Sequence, residues 1–394
     1  MSNDKRRDSY EIRFGRNESS ELLKEVTEME ANSEWISEVD GSKLSLIALL
    51  GSSEAESEAN RYGLDYDLTV DTIRGGSGLV MDTPWGYTLL RDIAKQDIVE
   101  IAKLSGSALR RMTTELFAQT INNGLSVSQG TAMVLMRFGK AAAIHSDGDG
   151  GYDVMPISEL LCITEEVLNR RFSGGDFMQG INSHGYTSAL WQLPAIQSRM
   201  RTAYANALGQ VGSLYNTWTF TPAVLFASSD TASSAASLIP VFTLPNGIEV
   251  RFVSGVRVKH TKRGKRVGND RKSAVDVFRE EAETLFSRFE ECEEVISKLN
   301  AVTINHGCNA VVSVCKKIGI PKRYGEAARS EMERLTCGDR SVTAHDLYLC
   351  LYEAVAEAKR SGASTLKVHN LEEAIPKTLK TDWAEHDVGG LVAW

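Results

Sequence analysis

The sequence predicts an α+β fold: a central antiparallel sheet flanked by helices, followed by a helical C-terminal region. Three observations carry that prediction. Residues 215–260 are rich in β-branched and aromatic side chains, and Pro245-Asn246-Gly247 stands between two of their apolar runs as a hairpin turn. Residues 97–122 and 157–172 space their apolar side chains for helices. Residues 273–300 repeat Phe278, Ala282, Leu285, Phe289, Cys292, Ile296 and Leu299 at alternating intervals of four and three, the seam of one long amphipathic helix.

Three regions follow. Residues 1–60 are rich in Ser, Glu and Asn, with an amphipathic stretch at Ser20–Met29 and an apolar patch at Leu44–Leu50, and read as a flexible or docking arm. Residues 61–272 form the α+β core. There Gly75-Gly76-Ser77-Gly78 lacks the Gly-Lys-Ser/Thr ending of a phosphate loop and reads as a flexible turn. Helices are expected over Asp97–Leu104 and Ala108–Asn122, separated by Ser105-Gly106-Ser107. Thr131–His145 is strand-like with a tight turn at Gly139-Lys140, and Pro156 heads the next helix, with Ser158 a second candidate for its cap. Residues 273–394 are helical, with further helices over Ala301–Lys317 and Thr343–Arg360. The last of these carries a Thr343/Asp346 capping box and stops at Gly362.

Composition narrows the function classes. The hydrophobic fraction of 42% and charged fraction of 24% are those of an ordinary globular protein. No apolar run approaches the roughly 18–20 residues that span a bilayer, and the polar first 25 residues contain no secretory apolar core. The cysteines (Cys162, Cys292, Cys308, Cys315, Cys337, Cys350) include no CxxC and lie mostly in expected helices, so buried free thiols in a reducing cytoplasm are expected. Together with His306 and His345 they lack the tight spacing of a zinc site, and neither metal nor cofactor is expected.

The charge pattern is the strongest functional signal. The chain has a formal net charge of −8, yet Arg257–Lys272 (RVKHTKRGKRVGNDRK) holds eight Lys or Arg and one acid. That window carries +7, which leaves −15 on the remaining residues. Arg257, Lys259, Lys262, Arg263, Lys265, Arg266, Arg271 and Lys272 follow a strand and alternate with Gly264 and Gly268, as on a projecting loop. Cations so placed neutralise phosphates without reading sequence. Phe252, Trp218 and Phe220 nearby are either core residues or stacking platforms for bases. The alternative reading docks the window on an acidic surface, including the Glu-rich helix that follows it.

A second cluster, His145, Asp147, Asp149 and Asp153, has the residue types of a hydrolase or a metal loop. Its D-x-D-x-x-x-D spacing lacks the third ligand and the Glu of a calcium loop, however, and Asp and Gly serve strand-connecting loops for backbone reasons. Ser228-Ser229-Asp230-Thr231 is a polar strand end, and GxSxG and HExxH are absent.

Several segments together resemble a family. They are QDIVEIAKLSGSALRRMTTELFAQTINNGL, VLMRFGKAAAIHSD followed by YDVMPISELL, and TPAVLFASSDTASSAASLIPVFTL. Their order over roughly residues 90–350 is similar to the phage/plasmid-like proteins of unknown function carried by bacteriophages and conjugative elements. Arg137, Gly139, Ala143, Ser146 and Asp147 match that family's R-x-G-x-x-x-A-x-x-S-D segment. Ser229, Asp230, Ser234 and Ala235 match its later small-residue segment, with Ala232 where glycine is common. The resemblance implies a mobile-element origin and a bacterial host cytoplasm, and it carries no catalytic residues.

The expected function is therefore non-enzymatic binding of nucleic acid, single-stranded DNA above all, in replication or recombination of a mobile element. An oligomer is expected to form through Phe278, Ala282, Leu285, Phe289, Ile296 and Leu299. The alternatives are a phage protein-interaction or assembly factor that binds a host or defence protein, and a hydrolase built on the His145 loop.

Overall fold

Two sheets, rather than one central sheet, organise the chain. The computed structural model describes residues 4–148, 151–209, 213–214, 220–231, 234–245, 247–261, 266–267, 270–337, 340–390 and 392–394. The fold is α+β, with antiparallel and mixed sheets flanked by helices and a helical C-terminal region.

The N-terminal residues are built into both sheets rather than forming a loose arm. Strand β1 (Glu11–Phe14) is an edge of the larger sheet, and helix α1 (Ser19–Ala31) buries Leu22, Val26 and Met29 at helical spacing. The chain then passes into β2 (Ser33–Asp40), an edge of the smaller sheet.

That smaller sheet adds β3 (Ser45–Ala48), β4 (Leu79–Thr83), β5 (Gly86–Leu90), β6 (Thr131–Arg137) and β7 (Lys140–Ser146), in the order β2-β6-β7-β5-β4-β3. Only β5 and β7 pair in parallel, and the chain between them supplies helices α4 (Lys95–Ile101) and α5 (Thr114–Leu125). Ile98, Ile101, Phe117 and Ile121 meet Leu46, Met81, Val134 and Ile144 on one face of the sheet. The alternate residues Val80 and Leu89 face the other way, toward α2 (Ala55–Tyr62) and α3 (Tyr66–Gly75). The expected helix over 108–122 starts later, because Thr113 caps α5 through the Leu116 amide. The β6–β7 turn falls one residue before the expected place: Phe138 and Gly139 both take positive φ (49° and 78°), the twist a two-residue hairpin requires.

Helix α6 (Ile157–Phe172) leads into the larger sheet: β8 (Asp176–Ser183), β9 (Thr187–Gln192), helix α7 (Gln197–Leu208), β10 (Thr221–Ser228), β11 (Ala236–Thr243), β12 (Glu249–Val250) and β13 (Val256–Val258). All its pairings are antiparallel, and β12 and β13 take opposite ends of β11. Both faces of β10 are covered, Val224 and Phe226 toward the main core and Ala223 and Leu225 away from it, so it reads as an unbroken apolar run. Strands β11 and β12 pair antiparallel on either side of the hairpin expected at residues 245–247, of which Asn246 lies outside the described residues. The amino end of α6 is capped from α1: Glu30 accepts from both the amide and the hydroxyl of Ser158.

After a short ribbon, β14 (Arg266–Val267) with β15 (Asp270–Arg271), the Glu-rich region forms two helices, α8 (Ala274–Ala282) and α9 (Leu285–Asn300). The break has a local cause. The Thr284 hydroxyl donates back to the Glu281 carbonyl at 2.7 Å, and Glu283 is held by Arg170 and Arg171 of α6. Phe278, Ala282, Leu285, Phe289, Ile296 and Leu299, expected to join subunits, are all buried in this chain's own core. The seam is thus filled from within the chain.

The next expected helix also starts late. Residues Thr303–Ile304 (β16) pair with Val342–Thr343 (β17), and α10 runs over Gly307–Ile318. Helix α11 (Lys322–Thr336) follows. The Thr343/Asp346 capping box opens α12 (Ala344–Leu351), and α13 (Glu353–Arg360) ends before Gly362, whose φ of 69° suits glycine. Helix α14 (Thr365–Ala374) and a 3-10 turn at Ile375–Lys380 lie against the larger sheet's basic end. No described helix is long and apolar enough to cross a membrane. All six cysteines are free; Cys292, Cys315 and Cys350 are buried as expected, whereas Cys162 and Cys337 are exposed.

Candidate nucleic-acid interface

The basic window begins on an edge strand. In β13, Val256 and Val258 turn into the core and Arg257 between them turns out, as the two-residue period dictates. The Arg257 side chain is 55% exposed and its guanidinium reaches Glu373 of α14 at 3.0 Å. Lys259 is exposed, and Lys272 pairs with Glu280 of α8. Arg266 and Arg271 are register partners in the β14–β15 ribbon. Lys262, Arg263 and Lys265 lie outside the described residues. Of the aromatics near the window, Phe220 and Phe252 are core residues, each 1% exposed, and Trp218 lies outside the described residues.

A cavity of about 330 Å³ opens beside Arg257, between β11, β13 and the Ile375–Lys380 turn. Its cations are Arg251, Arg257, Lys377 and Lys380, against the single carboxylate of Glu373. Arg251 is 3% exposed and reaches Glu373 at 2.5 Å and Glu372 at 3.3 Å; burial works to lower its pKa, but the charges around it, Glu372 foremost, outweigh that and raise it. Its Nε has no hydrogen-bond partner among the described residues. Lys377 and Lys380 are exposed and form no ion pair among the described residues. Sequence reasoning missed all three. The signal was present in IPKTLK, where a three-residue spacing aligns two lysines on one edge of a 3-10 turn, but only the fold brings that edge to Arg257. Gly255 in the wall is required for packing: a Cβ there would lie 2.3 Å from the Leu238 carbonyl oxygen.

The His145 cluster is a packed junction of aromatic rings and hydrogen bonds. Its ring stacks on Tyr152 (centroids 4.0 Å apart), and Tyr152 stacks in turn on His260 at 5.2 Å and Trp35 at 5.3 Å. Tyr152 donates to the Asp230 carbonyl at 3.0 Å, and His145 Nε2 meets the same oxygen at 3.1 Å. Burial lowers both imidazoles, His260 to about 4. Asp147 accepts from the Glu38 amide and Asp153 from the Ala274 amide at the head of α8. Asp149 lies outside the described residues. These carboxylates serve backbone amides in separate elements, and no described group of His, Cys, Asp and Glu could hold a metal.

Sequence reasoning also missed a buried ionic hub between the sheets. Arg137 of β6 pairs with Asp230, just after β10, and donates to Ser33 Oγ at 2.8 Å. Asp8 pairs with Arg91 and with Lys140, each at 3.0 Å, and Lys140 also reaches Asp71 at 2.6 Å. Arg91, Arg137 and Lys140 are at most 3% exposed. Burial holds Arg91 down at about 10 and, with Arg91 and Arg137 close by, His184 at about 2. The glycine turn belongs to this hub: a Cβ on Gly76 would lie 2.5 Å from an Asp8 carboxylate oxygen, so glycine admits Asp8. Arg137 and Asp230 lie far apart in the sequence, and here they form one ion pair.

Comparison of the chain with known protein families, curated proteins and solved structures found no match.

Proposed function

We propose that the protein binds the phosphate backbone of single-stranded nucleic acid, without catalysing a reaction, through the Arg257–Lys272 segment and the cationic cavity at its root. The observation that carries this reading is the meeting of two independent basic features: Arg257, the first residue of the window, lines the same cavity as Lys377 and Lys380, more than 100 residues later in the chain. In an otherwise acidic chain such a surface orients an approaching polyanion. In a protein of the phage and mobile-element kind, this binding serves replication or recombination.

The test is binding of a labelled oligothymidylate across a salt series, comparing wild type with Lys262, Arg263, Lys265 and Arg266 changed to Gln. Wild type binds, and the slope of log affinity against log salt flattens in the variant by about 0.7 for each lost contact. Absence of binding by wild type at low salt overturns the reading. The pairs Arg257–Glu373 and Lys272–Glu280 show that the window also accepts carboxylates, which favours an acidic protein surface as the second reading. Capture that survives nuclease treatment distinguishes it.

A further inference from the structure

The cavity beside Arg257 has two kinds of wall, and the basic segment needs only one of them. Phosphate binding is served by Arg257, Lys377 and Lys380 at the rim. Ile239, Val253 and Pro376 add an apolar surface that a sugar–phosphate backbone does not use. About 330 Å³ is at the small end of ligand pockets, and an apolar wall with a few convergent charges is their usual make-up. The floor is stiff: Val253 and Val256 are buried, Gly255 is pressed against β11, and Arg251 is fixed by Glu372 and Glu373 with its Nε left over. The pairing also means that Glu373 is shared by two arginines, so its charge is already spent within the wall.

We propose that this cavity is a subsite for one nucleotide, with the base against Ile239, Val253 and Pro376 and the phosphate held by Lys377 and Lys380. Unstacked bases are commonly held against apolar side chains in this way. The inference rests on the nucleic-acid reading for its choice of ligand. The same chemistry is offered by a nucleotide of a bound strand and by a free nucleotide, and the experiment separates them.

Two variants divide charge from shape. Lys377→Ser/Lys380→Ser removes the free cations, and Ser254→Trp fills the cavity while keeping all four. The three positions are exposed, so the fold tolerates the changes. The probes are dTMP, by calorimetry, and a 3′-labelled oligothymidylate, by equilibrium binding. Wild type is expected to bind dTMP, and each variant to lose about tenfold or more in that affinity. A parallel loss for the oligothymidylate, with its salt slope nearly kept in Ser254→Trp, identifies a strand nucleotide as the occupant; unchanged oligothymidylate binding identifies a free nucleotide. If wild type binds the oligothymidylate but not dTMP, and Ser254→Trp binds it as tightly as wild type, the subsite is overturned and the phosphate-clamp reading stands. If dTMP binds and the oligothymidylate does not, the clamp reading fails and the nucleotide site stands. Loss of dTMP in the lysine variant alone reduces the cavity to an anion site and overturns the base pocket.

Discussion

The molecule uses concentrated charge in two places and in opposite ways. Between the sheets, Arg91, Arg137 and Lys140 are buried and each meets a carboxylate, Asp8, Asp71 or Asp230. At the end of the larger sheet the cations Arg257, Lys259, Lys377 and Lys380 are exposed, and only Arg257 of these four has a carboxylate partner among the described residues. The difference is one of solvent. A buried charge without its partner is costly, so the hub is closed on itself and tolerates little change. An exposed cation costs little to leave unpaired and remains available to an incoming anion. Charge density alone therefore does not mark a binding surface; the proposed one rests on exposed charge that its own fold leaves unneutralised.

The largest expected effect comes from breaking the hub. Asp230→Ala leaves Arg137 buried without its carboxylate and should cost about 3–5 kcal/mol in denaturant unfolding. Arg137→Met with Asp230→Leu, which removes both charges, should recover much of that loss. Loss of stability in the single variant no larger than about 1 kcal/mol would mean that water reaches the pair and that the hub resembles the surface after all.

A middling effect is expected from acid. The folded His260 imidazole titrates at about 4 against an ordinary 6.5, because burial beneath the Tyr152 ring disfavours its charged form. His345, buried against Tyr204, is likewise held at about 4. Below pH 6.5 the unfolded chain takes up these protons and the folded chain does not. Stability is thus fully present above 6.5 and falls as pH drops toward 4, by up to about 3 kcal/mol for His260. Glu249 opposes this: buried beside Glu372 its pKa is raised to about 7, so protonation on acidification favours the folded state. The sharpest measure is His260→Phe, which keeps an aromatic ring in the stack. Unfolding free energies at pH 7 and 5 should differ less in this variant than in wild type. An unchanged difference would remove His260 from the account, despite the charges of Asp230, Asp153 and His145 that face it.

These contrasts explain what could be read in advance. The helical seam of Phe278, Phe289 and Ile296, the capping box at Thr343 and the pairing of β11 with β12 on either side of residues 245–247 are local patterns, and each appeared. The division into two sheets was not legible, because it depends on which strands pair across long separations. Nor was the filling of the seam: an apolar stripe does not say whether its own chain or another covers it. Local hydroxyls broke the helix at Thr284 against an unbroken apolar repeat. The basic window was legible as composition, whereas Lys377 and Lys380 became part of a site only through the path of α14. Arg137 and Asp230, each noted in a separate pattern, gave no sign in the sequence that they meet.

The smallest expected effect lies at the exposed end and tests the comparison from the other side. Arg257→Ser removes the pair with Glu373, but the side chain is more than half exposed and Glu373 keeps Arg251 at 2.5 Å. Stability should change by no more than about 1 kcal/mol. Glu373→Gln is the more informative partner change. It leaves Arg251 held by Glu372 and frees Arg257, so oligothymidylate affinity should rise slightly at low salt, while the melting temperature falls further than in Arg257→Ser because the buried Arg251 loses its 2.5 Å partner. If Glu373→Gln instead weakens binding, the carboxylate orients Arg257 toward the ligand rather than competing with it. The exposed cations would then be as closely organised as those of the hub, and the distinction between the two regions would be one of partner, not of solvent.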